Sequence, residues 1–382
     1  MSKGTYSQET EFLRRHVDLI ELTGSGQARV AVAPAYQGRV MTSSLDGETS
    51  FGWLNTAFID SGEDDSAFNN YGGEDRLWLG PEAGQFGLWF AEGEPFDMDH
   101  WKTPPALNTG SFELTDQSAD MAAMSRWFEV TNYSNTTFCC SVERTIRLLS
   151  EADAAGHLGA KIPAGLAMVG FESTNTLTNS DEKAWTRDTG LLSIWILGMF
   201  KPLPRGKVIV PFRPGTEADL GTKVTTDYFN PIPPDRCKVG DGHVLFSCDG
   251  KLRSKIGISA TRAKATLGSY DPDAKVLTIV QFNLPGDAAD RPYVNSLWRL
   301  QDLAAEAFAG DVVNSYNDGE LAPGAGQLGP FYEIETSSPA AELKSGRDLT
   351  HVHRTFHFAG NFEALNDLAQ KLLGVSLEQC ES

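Results

Sequence analysis

The sequence predicts a mainly β protein of antiparallel strands with a short C-terminal helix, and three observations carry that expectation. Apolar and polar residues alternate with period two in many segments, the pattern that turns one face of a strand toward a core and the other toward solvent. Gly, Asn, Asp and Pro interrupt these segments in turn-like clusters, as in SLDGE at 44–48, SYDPDAK at 269–275 and SYNDGE at 315–320. The clearest helical periodicity lies near the C-terminus.

Taken in order, ARVAVAP at 28–34 and SVERTIRLLS at 141–150 read as strands. In the second, Val142, Ile146 and Leu148 share a face with Arg144, so that guanidinium needs a partner or a route to water. KVIVPF at 207–212 and KVLTIVQFNL at 275–284 alternate in the same way. LWRLQDLAAEAFA at 297–309 is compatible with a second helix. From about Phe362 to Leu373, Leu365, Leu368, Leu372 and Leu373 fall on one side at helical spacing. Asn361 suits the N-cap of that helix and Gly374 the position just past its end.

The chain has 382 residues, with no internal repeat, low-complexity tract or long Pro/Ser linker. Large β-sandwiches run past the usual size of one core, so a single domain over 1–382 is the expectation. A formal net charge of -19 argues against nucleic acid and anionic membranes as partners, because both need clustered Lys and Arg. A neutral sugar is indifferent to that field. The five cysteines form neither a disulfide framework nor a zinc knuckle. The amino-terminal MSKGTYSQETEFLRRH has no apolar run, and no stretch approaches 18 apolar residues, so with Met1 as the natural start a cytoplasmic location is expected. Nothing in the sequence indicates an oligomeric state.

Four segments together resemble the galactose mutarotase-like (aldose 1-epimerase-like) superfamily. VAPAYQGRVMTSSLDGETSFGWLN (32–55) resembles its opening strands, with a Gly-Arg pair and then a sugar-facing aromatic. YGGEDRLWLGPEAGQFGLWF (71–90) resembles its Gly-rich aromatic segment, and FESTNTLTNSDEKAW (171–185) the segment with Thr-Asn before a catalytic His. GPFYEIETSSPAAELKSGRDLTHVHRTFHF (329–358) is similar to the closing strands that carry the catalytic Glu. The resemblance implies a β-supersandwich of antiparallel sheets, a sugar pocket on a concave sheet face, and often an epimerase; lyases, hydrolase accessory domains and plain binders share the fold.

Epimerisation at an anomeric carbon needs a base for the hydroxyl proton and an acid for the ring oxygen. In FYEIETSS, alternation puts Glu333 and Glu335 on one face and Tyr332 and Ile334 on the other. Two carboxylates about 7 Å apart raise one another's proton affinity. By resemblance Glu335 is the base, since Pro339 follows it closely. In HVHRTFHF, His351, His353, Thr355 and His357 share a face. Where the family has His after Thr-Asn, this chain reads Thr174, Asn175, Thr176, so the acid must come from elsewhere, with His351 or His353 as candidates.

Trp53 and Trp78, within the resembling segments, offer stacking platforms for sugar C–H faces, as do Trp89, Trp101, Trp185, Trp195 and Trp298. Arg39 and Arg76 offer hydrogen bonds to hydroxyls or, alternatively, pair with Glu74 or Asp75. Glu333 and His357 complete the expected sugar-binding set. Two imidazoles with Glu335 would make three metal ligands, but HxH alone has low specificity, and neither a metal nor another cofactor is expected. DVVNSYNDGE at 311–320 lacks EF-hand spacing and reads as a polar turn at Asn317-Asp318-Gly319. There is no GxSxG, HExxH or Walker loop, nor a GxGxxG set between strand and helix. The expected function is carbohydrate-active and epimerase-like; a non-catalytic glycan binder and a polysaccharide lyase or hydrolase are the alternatives.

Overall fold

A computed structural model of the chain describes residues 4–24, 26–320 and 324–380. Among these the strands run as β1 (Ile20–Thr23), β2 (Arg29–Ala33), β3 (Arg39–Ser44), β4 (Arg76–Gly80), β5 (Glu113–Gln117) and β6 (Met121–Thr131). They continue as β7 (Thr137–Leu148), β8 (Ala167–Asn179), β9 (Ser193–Phe200), β10 (Lys207–Pro211), β11 (Cys237–Val239) and β12 (His243–Ser247). The last are β13 (Ser254–Ser259), β14 (Thr266–Asp271), β15 (Val276–Phe282), β16 (Asp311–Asn317), β17 (Tyr332–Ser337) and β18 (Asp348–Ala359).

They form a ten-stranded sheet in the order β11-β12-β10-β14-β15-β18-β8-β7-β6-β5, a five-stranded sheet in the order β13-β16-β17-β9-β4, and a three-stranded sheet β1-β2-β3. The pairing is antiparallel, as the alternating segments predict. The five-stranded sheet lies against one face of the ten-stranded sheet. Val142, Ile146 and Leu177 pack with Leu77, Ile194 and Ile196 in one apolar cluster, and Val280 and Phe282 pack with Ile256, Val313 and Ile334 in another. On the far side of the large sheet, Leu277, Ile279, Phe356 and Phe358 pack with Leu365, Leu368 and Leu373 of the C-terminal helix. β15 and β18 are thus buried on both faces, and each buried large apolar side chain contributes about 1.5–3 kcal/mol.

That helix spans Phe362–Leu373. Asn361 Oδ1 accepts the Ala364 amide at 2.8 Å, and Gly374 at φ 70° closes the end in the left-handed region. The second expected helix is a correction, because within 297–309 only a 3₁₀ turn forms, at Ala304–Phe308. The apolar residues of this segment do not serve one face: Leu300 and Leu303 are 55% and 63% exposed, while Ala307 and Phe308 join the core.

Arg144 finds its partner between the sheets. It is completely buried, donates to Asp75 Oδ1 and Asn175 Oδ1, and reaches the Gly38 carbonyl at 2.8 Å. Ser173 Oγ donates to the other Asp75 oxygen at 2.7 Å. Asp75 directly precedes β4, so this buried pair ties the small sheet to β7 and β8. No disulfide joins Cys139, Cys140, Cys237, Cys248 and Cys380. Among the described residues no helix is long and apolar enough to cross a membrane.

Candidate functional site

The outer face of the five-stranded sheet, turned away from the large sheet, carries a lattice of large side chains set by strand register. Trp78 of β4 lies opposite Trp195 of β9. In the next row Arg76, Leu197, Glu335 and Asn314 lie opposite one another across β4, β9, β17 and β16. A third row joins Met199, Glu333, Tyr316 and Lys255 across β9, β17, β16 and β13. Alternation puts all of them on one face, so Leu77, Ile196, Tyr332 and Ile334 point inward. Over this floor stands a cleft of about 530 Å³, open to solvent at its mouth, walled by Phe68, Met98, Trp101, Phe229, Trp298 and Phe331.

The floor is an array of buried charges. Arg76 Nη2 donates to Glu333 Oε1 at 2.8 Å, and its guanidinium lies 3.8 Å from the centre of the Trp78 ring. Burial pushes the Glu333 carboxyl up to about 8; Arg76 opposes the rise and the Glu335 charge adds to it. Lys255 Nζ donates to Glu335 Oε2 at 3.0 Å, and Trp195 Nε1 donates to the same oxygen at 2.9 Å. Burial works against the Lys255 ammonium, but Glu335 and Glu82 outweigh it and hold Lys255 above its ordinary range. Glu82 accepts Trp101 Nε1 at 2.8 Å, and burial raises its carboxyl. Arg253 Nε stands 3.8 Å from Asp318 Oδ1, beyond hydrogen-bond reach.

Several polar atoms of this floor are buried without a hydrogen-bond partner: Arg76 Nε and Nη1, Trp78 Nε1, Arg253 Nε and Glu335 Oε1. Each such group costs about 1–3 kcal/mol when left unpaired, so their concentration around one cleft makes it the candidate site for a polar ligand. Glu333 and Glu82 line the cleft, whereas Glu335 lies beneath the floor with no exposed surface.

The sequence-predicted residues divide accordingly. Arg76, Trp78 and Glu333 meet at the cleft, with Glu335 directly below. His351 and His353 do not join them. β18 belongs to the large sheet, and its His face looks at the back of β17, where Thr336 Oγ1 lies 2.8 Å from His351 Nε2 and 2.9 Å from His353 Nδ1. Glu335, one residue earlier, points the opposite way, so neither a Glu–His acid–base pair nor a Glu–His–His ligand set is assembled. Burial lowers the two imidazoles to about 3 and about 4, leaving both neutral.

His357 Nε2 lies 3.2 Å from Glu74 Oε2 and its ring stacks on Phe51, facing a separate hollow of about 580 Å³. Arg39 is fully engaged elsewhere, donating to the Tyr36 and Gly72 carbonyls and to Gln37 Oε1. Trp53 stands behind the cleft wall, packed on Phe331 with ring centres 4.7 Å apart. Thr176 sits on the outer face of the large sheet, paired with Thr350 at 2.9 Å, so a histidine there would not face the cleft either. Neither Glu74 nor Asp75 pairs with Arg39 or Arg76: Glu74 takes Ser43 and His357, and Asp75 takes Arg144 and Ser173.

Three charged residues of the cleft were missed in the sequence: Lys255, Arg253 and Glu82. A signal existed for the first two. In RSKIGIS, Ile256 and Ile258 alternate with Arg253, Lys255 and Gly257, so two cations share the face opposite an apolar stripe. Glu82 lies in a loop, where no periodicity reports direction.

Solved structures share the architecture. A candidate aldose 1-epimerase from Escherichia coli K12 superposes with a TM-score of 0.50 at 10% identity, over 89% of this chain and 98% of that one. A galactose mutarotase-like protein from Lactobacillus casei superposes with a TM-score of 0.50 at 12% identity, over 89% of this chain and 100% of that one. These likenesses establish the galactose mutarotase-like fold of antiparallel sheets. No curated protein matches the chain in sequence. A family model described as "Family of unknown function (DUF6786)" matches residues 4–382, and the chain belongs to that family.

Proposed function

We propose that the chain is a carbohydrate-active protein that binds a sugar in the cleft over the five-stranded sheet, with Glu333 as the group that moves a proton. The observation that carries this reading is the set of buried, unpaired polar atoms on Arg76, Trp78, Arg253 and Glu335 around a cleft walled by aromatic rings. Aromatic faces suit the C–H surfaces of a pyranose, and the donors suit its oxygens. The shared fold with a candidate aldose 1-epimerase and a galactose mutarotase-like protein points to the same ligand class.

The reaction that fits is anomeric ring opening. Glu333, raised to about 8, carries a proton at neutral pH and donates it to the ring oxygen. Glu82, which also lines the cleft, accepts the proton of the anomeric hydroxyl. As the ring recloses on either face, both transfers run in reverse. The test is NMR exchange between α- and β-anomers across a panel of aldoses. Acceleration by the wild type, lost in Glu333→Gln, supports the reading; binding without acceleration for every sugar removes it.

A second reading, a glycan binder without chemistry, is favoured by one observation: His351, His353 and His357 all lie away from the cleft. It predicts saturable binding that Glu333→Gln leaves intact, with no exchange by the wild type.

A further inference from the structure

Lys255 occupies an unusual position. Its side chain is 6% exposed, its ammonium rests 4.7 Å from the centre of the Trp195 ring, and it is hydrogen-bonded to a carboxylate with no exposed surface at all. It lines both the main cleft and a small hollow bounded by Ser193, Tyr228, Asp311 and Asn314. A buried ion pair of this kind is rarely a net source of stability, since two apolar residues of the same size commonly do as well. Its carboxylate, Glu335, lies two positions along β17 from Glu333, which suggests another use.

We propose that Lys255 is a positioning residue of the cleft, and that its ion pair with Glu335 acts as one buried unit that orients Glu333 and sets how readily that carboxyl releases its proton. The inference rests on the reading of Glu333 as the proton-moving group. Glu333 meets charged or titratable neighbours from every side: Arg76 from β4, Glu82 from the loop after it, Arg253 from just before β13 and Lys255 from β13, Tyr316 from β16, Asp318 from the following turn, and Glu335 from its own strand. The β9 side chains on this face, Trp195, Leu197 and Met199, carry no charge. Of the carboxylates in this set, Glu335 is the one whose charge most strongly favours a protonated Glu333. Lys255 in turn holds Glu335, with Trp195 as its second donor.

The signs follow. Replacing Lys255 by Met removes a positive charge and leaves Glu335 uncompensated, so Glu333 keeps its proton to higher pH. Replacing Glu335 by Gln removes the repelling charge, so Glu333 releases its proton at lower pH. Removing both members together nearly cancels, because the two shifts have opposite signs.

The experiment titrates the fluorescence of the cleft tryptophans in the ligand-free protein between about pH 6 and 10. The transition belonging to Glu333 is the one that disappears in Glu333→Gln. The expected midpoint rises by about one pH unit or more in Lys255→Met, a tenfold change in proton affinity, and falls in Glu335→Gln. It returns close to wild type in the double variant and in Lys255→Arg. Midpoints that do not move, that move in the same direction in both single variants, or a wild type with no Glu333-dependent transition would overturn the proposal. If Lys255→Met does not fold, Glu335→Gln and the double variant decide: a fall in the first restored in the second supports it, and no movement in either overturns it. The titration needs no sugar, so shifted midpoints together with a failed anomer-exchange assay would reject the proposed activity and leave the positioning role standing.

Discussion

Glu335 and Thr336 are neighbours in the chain that serve opposite sides of one sheet. Glu335 accepts Lys255 Nζ at 3.0 Å on the cleft side, while Thr336 Oγ1 stands within 2.9 Å of both His351 Nε2 and His353 Nδ1 on the inner side. A single hydroxyl donates one hydrogen bond and accepts up to two, so it serves both rings when at least one facing nitrogen carries an N–H; both rings are completely buried, where a charged imidazolium is costly.

Acid should therefore loosen the contact between the sheets. His351 and His353 are lowered to about 3 and about 4 by burial, below the ordinary value of 6.5 that both regain on unfolding. The unfolded chain thus takes up these protons first as pH falls. Their contribution is complete above about pH 6.5 and is lost progressively below it, by about 2 kcal/mol per histidine at pH 5. Urea midpoints measured at pH 7.5 and pH 5 should show this drop, and His351→Gln should show a smaller one than the wild type. Equal midpoints for the wild type would contradict burial of the pair.

Glu333→Gln should reduce anomer exchange by about 10²–10⁴-fold, the usual worth of a positioned general acid, with a much smaller effect on sugar affinity. In the wild type the rate should hold near neutrality and decline above about pH 8, where Glu333 loses its proton. A rate that rose through that range would assign Glu333 the opposite role.

Trp298 is half-buried at the cleft wall, against Phe90 and Phe229 at 5.3 and 5.7 Å between ring centres. Trp298→Ala should weaken sugar binding by about tenfold, the loss of one stacking surface, as read by isothermal titration. Unchanged affinity would move the ligand to another wall.

Arg144→Met should destabilise the fold by about 3–5 kcal/mol, because Asp75 would remain buried and charged. Converting Asp75 to Asn in the same chain should recover part of that loss. Denaturant unfolding of the two single variants and the double variant measures the coupling; strictly additive losses would show that the pair does not act as one unit.

Features set by neighbouring residues are legible in the sequence. The cap residues Asn361 and Gly374 bracket the C-terminal helix because capping is decided by hydrogen bonds within one turn. The common face of Glu333 and Glu335 follows from the two-residue pleat alone, as does the common face of His351, His353 and His357. The need of Arg144 for a partner was visible as a cation among Val142, Ile146 and Leu148, although its partner, Asp75, lies 69 residues away. The segment 297–309 is rich in helix-forming residues but forms no helix there, because its apolar members split between solvent at Leu300 and Leu303 and the core at Ala307 and Phe308.

The strand alternation, the turns and the terminal helix were determined by the sequence itself, since each depends on residues within a few positions of one another. Which sheet each strand joined was settled only in three dimensions. β18 inserts between β15 and β8 in the large sheet, so its histidines look at the back of β17 while the glutamates of β17 look away. Period-two alternation says which side chains travel together but carries no sign for which way they face, and that sign comes from apolar burial summed over both sheets at once.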